Sequence, residues 1–286
     1  MSKILILGCN GMLGSDLASS FHESHEVVLW DKEELDITNR NDVANKISLL
    51  KPGLIVNATG YTNVDGAEDD QAAAFKLNDE AVSYLVAAAN DCGAKFVHFS
   101  TEYVFDGKSE SGYNELVVPR PLNIYGESKA AGELHVINYE RGYLVRTSWL
   151  YGRAPQKGKP RGMNFIDTIL KFAAEQPEVR VVNDQFGKLT ATRDLANAVV
   201  QLTSSDLSPG IYHLVNEGEV SWYEVAREVF RLKGITVPLL PVSSDEFPTK
   251  ARRPQRAVLL NTKSPKLRPW QQALRDYLNV SQTNER

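Results

Sequence analysis

The chain has 286 residues, 42% hydrophobic and 24% charged, with a formal net charge of −4, so one large or two closely joined domains are expected. An acidic balance with both signs scattered along the chain excludes a protein whose main partner is DNA or RNA, because neutralising phosphates needs a basic face. No stretch approaches the roughly 18 apolar residues of a membrane span, and Cys9 and Cys92 form neither a zinc spacing nor a disulfide framework.

The chain runs directly into a strand-like Lys3–Leu7 without a leader pattern, so a reducing, cytoplasmic setting and no membrane partner are expected. The first predicted strand, Ile4–Leu7, ends in Gly8-Cys9-Asn10-Gly11-Met12-Leu13-Gly14, and a helical pattern follows over Met12–Phe21. Glycines at such a turn let the backbone approach a pyrophosphate and let the helix pack on the strand. The helix N-terminus then offers free N–H groups to the phosphates. The spacing G-x-x-G-x-x-G is one residue longer than the usual dinucleotide fingerprint. Gly8, Asn10, Gly11, Met12, Leu13 and Gly14 are the candidate cradle.

A second strand, Val27–Trp30, is closed by Asp31. A carboxylate there accepts from a ribose 2′-hydroxyl and repels a 2′-phosphate. It therefore leans towards NADH, a lean that the neighbouring Lys32 softens, and either NADPH or NADH is the expected cofactor. Asp36 and Ile37 follow where an adenine would lie, before a helix over Asn41–Leu50. The third strand, Leu54–Asn57, gives way to Ala58, Thr59, Gly60 and Tyr61, small at first, as backbone beside a cofactor requires. A long helix is predicted over Asp70–Cys92, then a strand over Phe96–Phe99. Phe99 is counted with the cofactor side, and the run after it carries Ser100 and Thr101 to the carboxyl edge of the sheet, where ligands bind in such folds.

The helix predicted over Asn123–Tyr139 holds Tyr125-Gly126-Glu127-Ser128-Lys129. Residues four apart share a helix face, so Lys129 is expected to lower the pKa of the Tyr125 phenol and make it a proton donor. Thr101 is expected to hydrogen-bond a substrate carbonyl beside it. Leu144–Thr147 is the fifth strand. Val179–Val182 and Ile211–Leu214 look like further strands, and Thr192–Thr203 and Ser221–Lys233 like helices. Ala154–Gly162 and Pro238–Pro254 read as loops.

Strand and helix alternating in this way predict an α/β fold, a Rossmann-type doubly wound parallel sheet with a smaller C-terminal substrate-binding lobe. The expected division is residues 1–150 for the dinucleotide domain and 151–286 mainly for the lobe, with segments near 179–216 returning to the sheet.

Gly8/Gly11/Gly14, Ser100-Thr101 and Tyr125/Lys129 together resemble the extended short-chain dehydrogenase/reductase superfamily. Tyr61-Thr62-Asn63-Val64-Asp65-Gly66-Ala67-Glu68, Ser100–Gly107, Arg146–Gly152 and Asn183-Asp184-Gln185-Phe186-Gly187 narrow it to the dTDP-4-dehydrorhamnose reductase family, over nearly the whole chain. The resemblance implies reduction of the C4 keto group of a nucleotide-linked sugar, with Thr101, Tyr125 and Lys129 catalytic. It places Thr62, Val64, Glu102 and Trp149 around the sugar, and Asn164, Phe165, Gln185 and Arg253 in segments closing over the nucleotide.

Glu102 stands where the family usually has aspartate. The loop Arg153–Gly162, with Lys157, Lys159 and Arg161, is longer and more basic than the resemblance leads one to expect, and can serve as a lid, a phosphate grip or a solvated loop. Lys188-Leu189-Thr190 replaces the usual turn after Gln-Phe-Gly. Some relatives are dimers bridged by magnesium through acidic clusters; none is visible here, so no metal is expected, and a homodimer stays open. Two rival readings remain. One is a dinucleotide-binding regulatory subunit of the methionine adenosyltransferase type, which has no need of an intact Thr101, Tyr125 and Lys129. The other is an epimerase or reductase of another keto-sugar.

Overall fold

The computed structural model describes residues 3–22, 25–157 and 162–279. Short runs of Val, Ile and Leu without polar alternation form strands covered on both faces. Thus β1 (Ile4–Leu7), β3 (Leu54–Asn57) and β5 (Gly142–Thr147) are buried at every position. β2 (Val27–Trp30) is the less covered edge, and β4 (Lys95–Thr101) is buried beyond its first residue. With a sixth strand, Gly210–His213, they form one parallel sheet in the order Gly210–His213, β5, β4, β3, β1, β2.

One face of the sheet packs on Leu17, Ala18 and Phe21 of helix α1 (Met12–His22) and on Leu195, Ala196, Val199 and Leu202 of the helix Thr192–Ser204. The other face meets Val43 and Ile47 of α2 (Arg40–Leu50) and the apolar stripe that begins at Ala81. The fold is therefore an α/β, doubly wound Rossmann-type sheet. Chain direction across the sheet reverses between β1 and β3, and a crevice for ligands opens at the carboxyl ends of the strands flanking such a switch point.

The single helix expected over Asp70–Cys92 is divided. After a short α3 (Val64–Asp69), α4 (Gln71–Phe75) runs into a π-helical turn, Lys76–Glu80, and then α5 (Ala81–Cys92). A π turn holds one more residue than an α turn, which hydrophobic periodicity does not resolve. It brings buried Asn78 against α6 (Ile124–Ile137), where a Cβ on Gly132 would lie 2.0 Å from the Asn78 carbonyl oxygen. Only glycine permits that approach.

A second correction concerns Val179–Val182, which does not return to the central sheet. It pairs in parallel with Leu239–Val242 as a separate two-stranded ribbon, and only Gly210–His213 of the 179–216 segment joins the six strands. Pro238–Pro254 accordingly contains a strand. In the C-terminal half the helices Phe165–Glu175 and Trp222–Lys233 pack on this ribbon through Ile169, Val179, Val181, Ala226 and Phe230. Among the described residues, no helix is long and apolar enough to cross a membrane.

Candidate active site

Gly8 ends β1 with φ +75°, and its carbonyl accepts from the Gly11 N–H at 3.0 Å. A Cβ on Gly14 would fall 2.0 Å from that same carbonyl oxygen, so the first turn of α1 can close on the strand only without a side chain. Met12 is buried at the start of α1, while Cys9, Leu13 and Ala58 pack partly against the core. Asp31, just past β2, accepts from the Asn10 N–H at 3.1 Å, from Lys32 N–H at 2.8 Å and from the Lys157 ammonium at 3.2 Å. Burial works to raise its pKa, but these three donors outweigh it and hold the carboxyl below its ordinary value.

Asp36 accepts from the Thr38 N–H and hydroxyl, and Ile37 is buried in the core with Val43 and Ile47. Phe99 is likewise core, beside Val97 and Val145. These two side chains are taken up by packing. Thr59 is held by Asn57 Oδ1 through its N–H and hydroxyl. Tyr61 exchanges two backbone hydrogen bonds with the Asn78 amide, which also reaches Ser128 Oγ at 3.0 Å. The π turn thereby ties the loop after β3 to α6 between Tyr125 and Lys129. This glycine-lined crevice, with a carboxylate at the β2 tip and small residues after β3, fits a dinucleotide.

Lys129 is buried and Tyr125 half-buried on α6, whose N-terminus is set by three bonds. Asn123 Oδ1 accepts from Gly126 N–H, Asn123 Nδ2 donates to the Arg252 carbonyl, and Glu68 accepts from Ile124 N–H. The Tyr125 phenol lies beside the Thr101 side chain, and its ring meets Tyr103 edge-on with centroids 5.5 Å apart. Burial first, then the nearby Glu102, pushes the phenol pKa upward. The lowering by Lys129 expected from the sequence is not what this environment produces. Lys129 Nζ instead lies 3.2 Å from His98 Nε2, and a Cβ on Gly60 would be 3.8 Å from it. Burial brings the ammonium down to about 8, with Glu133 pulling the other way. His98 is neutral, since burial and the Lys129 charge hold it far below its ordinary value.

Thr101 ends β4. Its hydroxyl donates to Glu102 Oε2 at 2.8 Å and accepts from Tyr103 N–H at 3.2 Å. A hydroxyl has one proton, so Thr101 turns a lone pair, not its hydrogen, towards Tyr125. Glu102 is 4% exposed, and burial pushes its carboxyl up to about 7 against hydrogen bonds from Thr101, Ser148 and Trp149.

Trp149 holds φ +43°, a conformation L side chains seldom adopt. Its indole stacks on Trp222 at 3.7 Å with an interplanar angle of 11°, and Phe165 tilts against Trp222 at 4.5 Å. Arg253 pairs with Asp65 at 2.7 Å and lies over the Tyr103 ring. Thr62 is exposed and Val64 half-buried at the start of α3.

Thr101, Glu102, Tyr125, Trp149, Phe165 and Arg253 thus belong to one connected region. Two expected residues already hold partners within the protein. Asn164 caps its helix, accepting from Ile166 and Asp167 N–H, and gives its amide protons to the Gly152 carbonyl, Asp167 and the Tyr277 hydroxyl. Gln185 donates to Ser244. Lys159 and Arg161 lie outside the described residues. Among the described residues, no group of three or more His, Cys, Asp or Glu is placed to hold a metal ion.

Sequence reasoning assigned no role to Trp222, Asn78, Asn57, Ser148 or His98. Of these, only His98 carried a signal, an imidazole inside an otherwise apolar strand. The structure also reveals a fully buried bidentate pair, Arg146 on Glu133 at 2.9 and 2.6 Å, joining β5 to α6.

The family model described as the RmlD substrate binding domain matches residues 2–283. A dTDP-4-dehydrorhamnose reductase of Burkholderia thailandensis is 37% identical, over 91% of this chain and 90% of its own. A dTDP-4-keto-6-deoxy-D-glucose reductase of Streptomyces niveus is 39% identical, over 89% and 87%. The crystal structure of dTDP-4-dehydrorhamnose reductase from Bacillus anthracis in complex with NADP superposes with a TM-score of 0.92 at 34% identity, covering 98% of this chain and 99% of that one. Fold, crevice and similarity along nearly the whole length agree: the chain belongs to the dTDP-4-dehydrorhamnose reductase family of the extended short-chain dehydrogenases/reductases.

Proposed function

We propose that this oxidoreductase uses NADPH or NADH to reduce the C4 keto group of dTDP-4-dehydro-L-rhamnose to dTDP-L-rhamnose, with Tyr125 as proton donor. The observation that carries the reading is the placement of the Tyr125 phenol beside Thr101 at the carboxyl end of β4, on the same sheet edge as the glycine turn. A reduced dinucleotide held between the Gly8–Gly14 turn and Lys129 would supply the hydride that C4 receives. The oxygen that then becomes an alkoxide is a far stronger base than a phenolate, so Tyr125 Oη gives up its proton readily. The raised phenol pKa serves this direction, because an acid must hold its proton until that moment.

Lys129 acts on the ribose side of the crevice. The Thr59 N–H fixes Asn57 Oδ1, so Asn57 Nδ2 donates to His98 Nδ1, 3.1 Å away. The imidazole proton then sits on Nε2, facing Lys129. Two donors meet there, and a ribose hydroxyl that accepts from Nζ relieves the conflict. Thr101 becomes a donor to the keto oxygen when Glu102 is protonated and can donate to it in turn. Trp149, with Trp222 and Phe165 behind it, forms the apolar wall for the sugar, and Arg253 guards the nucleotide side. Residues 151–286 chiefly furnish the substrate side. The same reading takes the chain as a cytoplasmic enzyme of small molecules, with a homodimer left open and neither nucleic acid nor membrane as partner.

The Streptomyces niveus relative favours a second reading, the same hydride and proton delivery to a keto-sugar of other configuration. The test is loss of reduced-nicotinamide absorbance with dTDP-4-dehydro-L-rhamnose and with its 3,5-epimer, dTDP-4-keto-6-deoxy-D-glucose, for wild type and Tyr125→Phe. Turnover of the first substrate, abolished by the change, supports the proposal. Turnover of the epimer alone moves it to the second reading. Tight dinucleotide binding without turnover of either supports the regulatory-subunit alternative.

A further inference from the structure

The basic loop after Gly152 reaches the cofactor crevice from 126 residues away in sequence: Lys157 Nζ lies 3.2 Å from Asp31 Oδ2. Its stem is fixed. The Gly152 carbonyl accepts from Asn164 Nδ2, Arg153 bonds Asn279 Oδ1 at 2.8 Å, and Gln156 N–H bonds the Gly162 carbonyl at 2.8 Å. Lys157 is therefore delivered to the β2 tip and does not arrive by chance from a free arm.

The tip itself is poorly suited to a phosphate. Asp31 is held in place by Asn10 and Lys32 N–H groups, and its own N–H bonds Glu34 Oε2 at 2.8 Å, so two carboxylates stand together. Lys46 is engaged with Asp42 and the Glu34 carbonyl and adds no free charge. Lys157 is the ammonium placed directly on this carboxylate pair. Without it the tip, Asp31-Lys32-Glu33-Glu34, is the more negative and the more repellent to a 2′-phosphate. The exposures differ in a telling way: the Asp31 side chain is 15% exposed and Lys157 58%. The lysine is thus the partner free to move. It can stay on Asp31 while that carboxylate accepts from a 2′-hydroxyl, or swing a few ångströms onto a 2′-phosphate while the backbone N–H groups keep Asp31 satisfied.

We propose that Lys157 is the residue that sets cofactor choice, allowing the site built around Asp31 to accept the 2′-phosphate of NADPH as well as the 2′-hydroxyl of NADH. This rests on the dinucleotide reading above. The test is direct binding, by titration calorimetry or reduced-nicotinamide fluorescence, of NADPH and NADH to wild type, Lys157→Ala and Lys157→Glu. Loss of one charge-assisted contact at a half-exposed site should weaken NADPH about tenfold in Lys157→Ala, while NADH stays within about twofold. Lys157→Glu should weaken NADPH further, and added salt should narrow the gap between wild type and Lys157→Ala for NADPH alone. Equal weakening of both cofactors, or no change for NADPH, overturns the proposal while leaving the dinucleotide reading intact. A wild type that binds neither cofactor overturns that reading and this proposal with it.

Discussion

Glu102→Gln should change the way stability depends on pH, and the size of the change follows from the burial of one carboxyl. Unfolded, the group titrates at its ordinary 4.5; folded, burial pushes it up to about 7. The folded chain therefore holds this proton more tightly than the unfolded one. Its contribution is fully present below pH 4.5 and is lost as pH rises through about 7. A midpoint moved by about 2.5 pH units, at about 1.4 kcal/mol each, amounts to about 3 kcal/mol by pH 8.5. Glutamine cannot ionise, so it escapes this loss. It carries its own roughly constant cost, about 1 kcal/mol, because its amide meets the Ser148 and Trp149 donors. The informative quantity is thus the difference between variant and wild type at pH 8.5 minus that at pH 5. It should be about 2.5 kcal/mol in favour of Glu102→Gln, since part of the loss has already occurred at pH 5, or about 4–6 °C in melting temperature for a chain of this size. Urea midpoints and thermal melts at both pH values provide the assay. An offset identical at pH 5 and pH 8.5 would refute the reasoning, since it would mean that Glu102 ionises freely while folded.

Tyr125→Phe should lower kcat by at least about a hundredfold with dinucleotide affinity and circular dichroism unchanged; a variant retaining a tenth of the rate would move the proton donor elsewhere. Arg146→Met leaves Glu133 charged and buried and should cost about 3–5 kcal/mol, whereas Arg146→Met with Glu133→Leu should regain most of it, as thermal melts can show. Asn78→Ala strands the Tyr61 N–H and carbonyl, so a loss of about 1–3 kcal/mol is expected, together with a raised KM for the dinucleotide. An unchanged cofactor KM there would separate the π turn from the site.

What could be read beforehand divides by range. β1, β3 and β5 were legible because strands covered on both faces carry unbroken apolar runs, and the glycine turn and Tyr125/Lys129 because their spacing is local. Val179–Val182 misled for a reason present in its own letters: Arg180 interrupts the run, and the observed pattern alternates buried and exposed. That is the mark of a strand covered on one face, not of a central one. The ordinary roles of Asn164 and Phe99 were hidden because a motif position says nothing about which atoms the protein has already engaged. Lys157 on Asp31, Trp222 under Trp149 and Asn78 between two segments are pairings across long sequence separations, invisible to periodicity. The direction of the Tyr125 shift was missed because a lysine four residues away suggests a charge effect, while desolvation of the phenol decides the balance.

The π turn at Lys76–Glu80 has one more consequence, for the chain's tolerance of altered length. An α-helix advances about 100° per residue, so deleting a residue usually spoils the register of everything beyond. At this turn the helix already carries a surplus residue, and a deletion would let it relax to regular α-geometry from Gln71 to Cys92. The shortened helix would be the better helix. It would also rotate Asn78 away from Tyr61 and Ser128, leaving the loop after β3 without its tether to α6. Length variation among relatives at this one position should therefore track loss of the cofactor crevice, not loss of the fold.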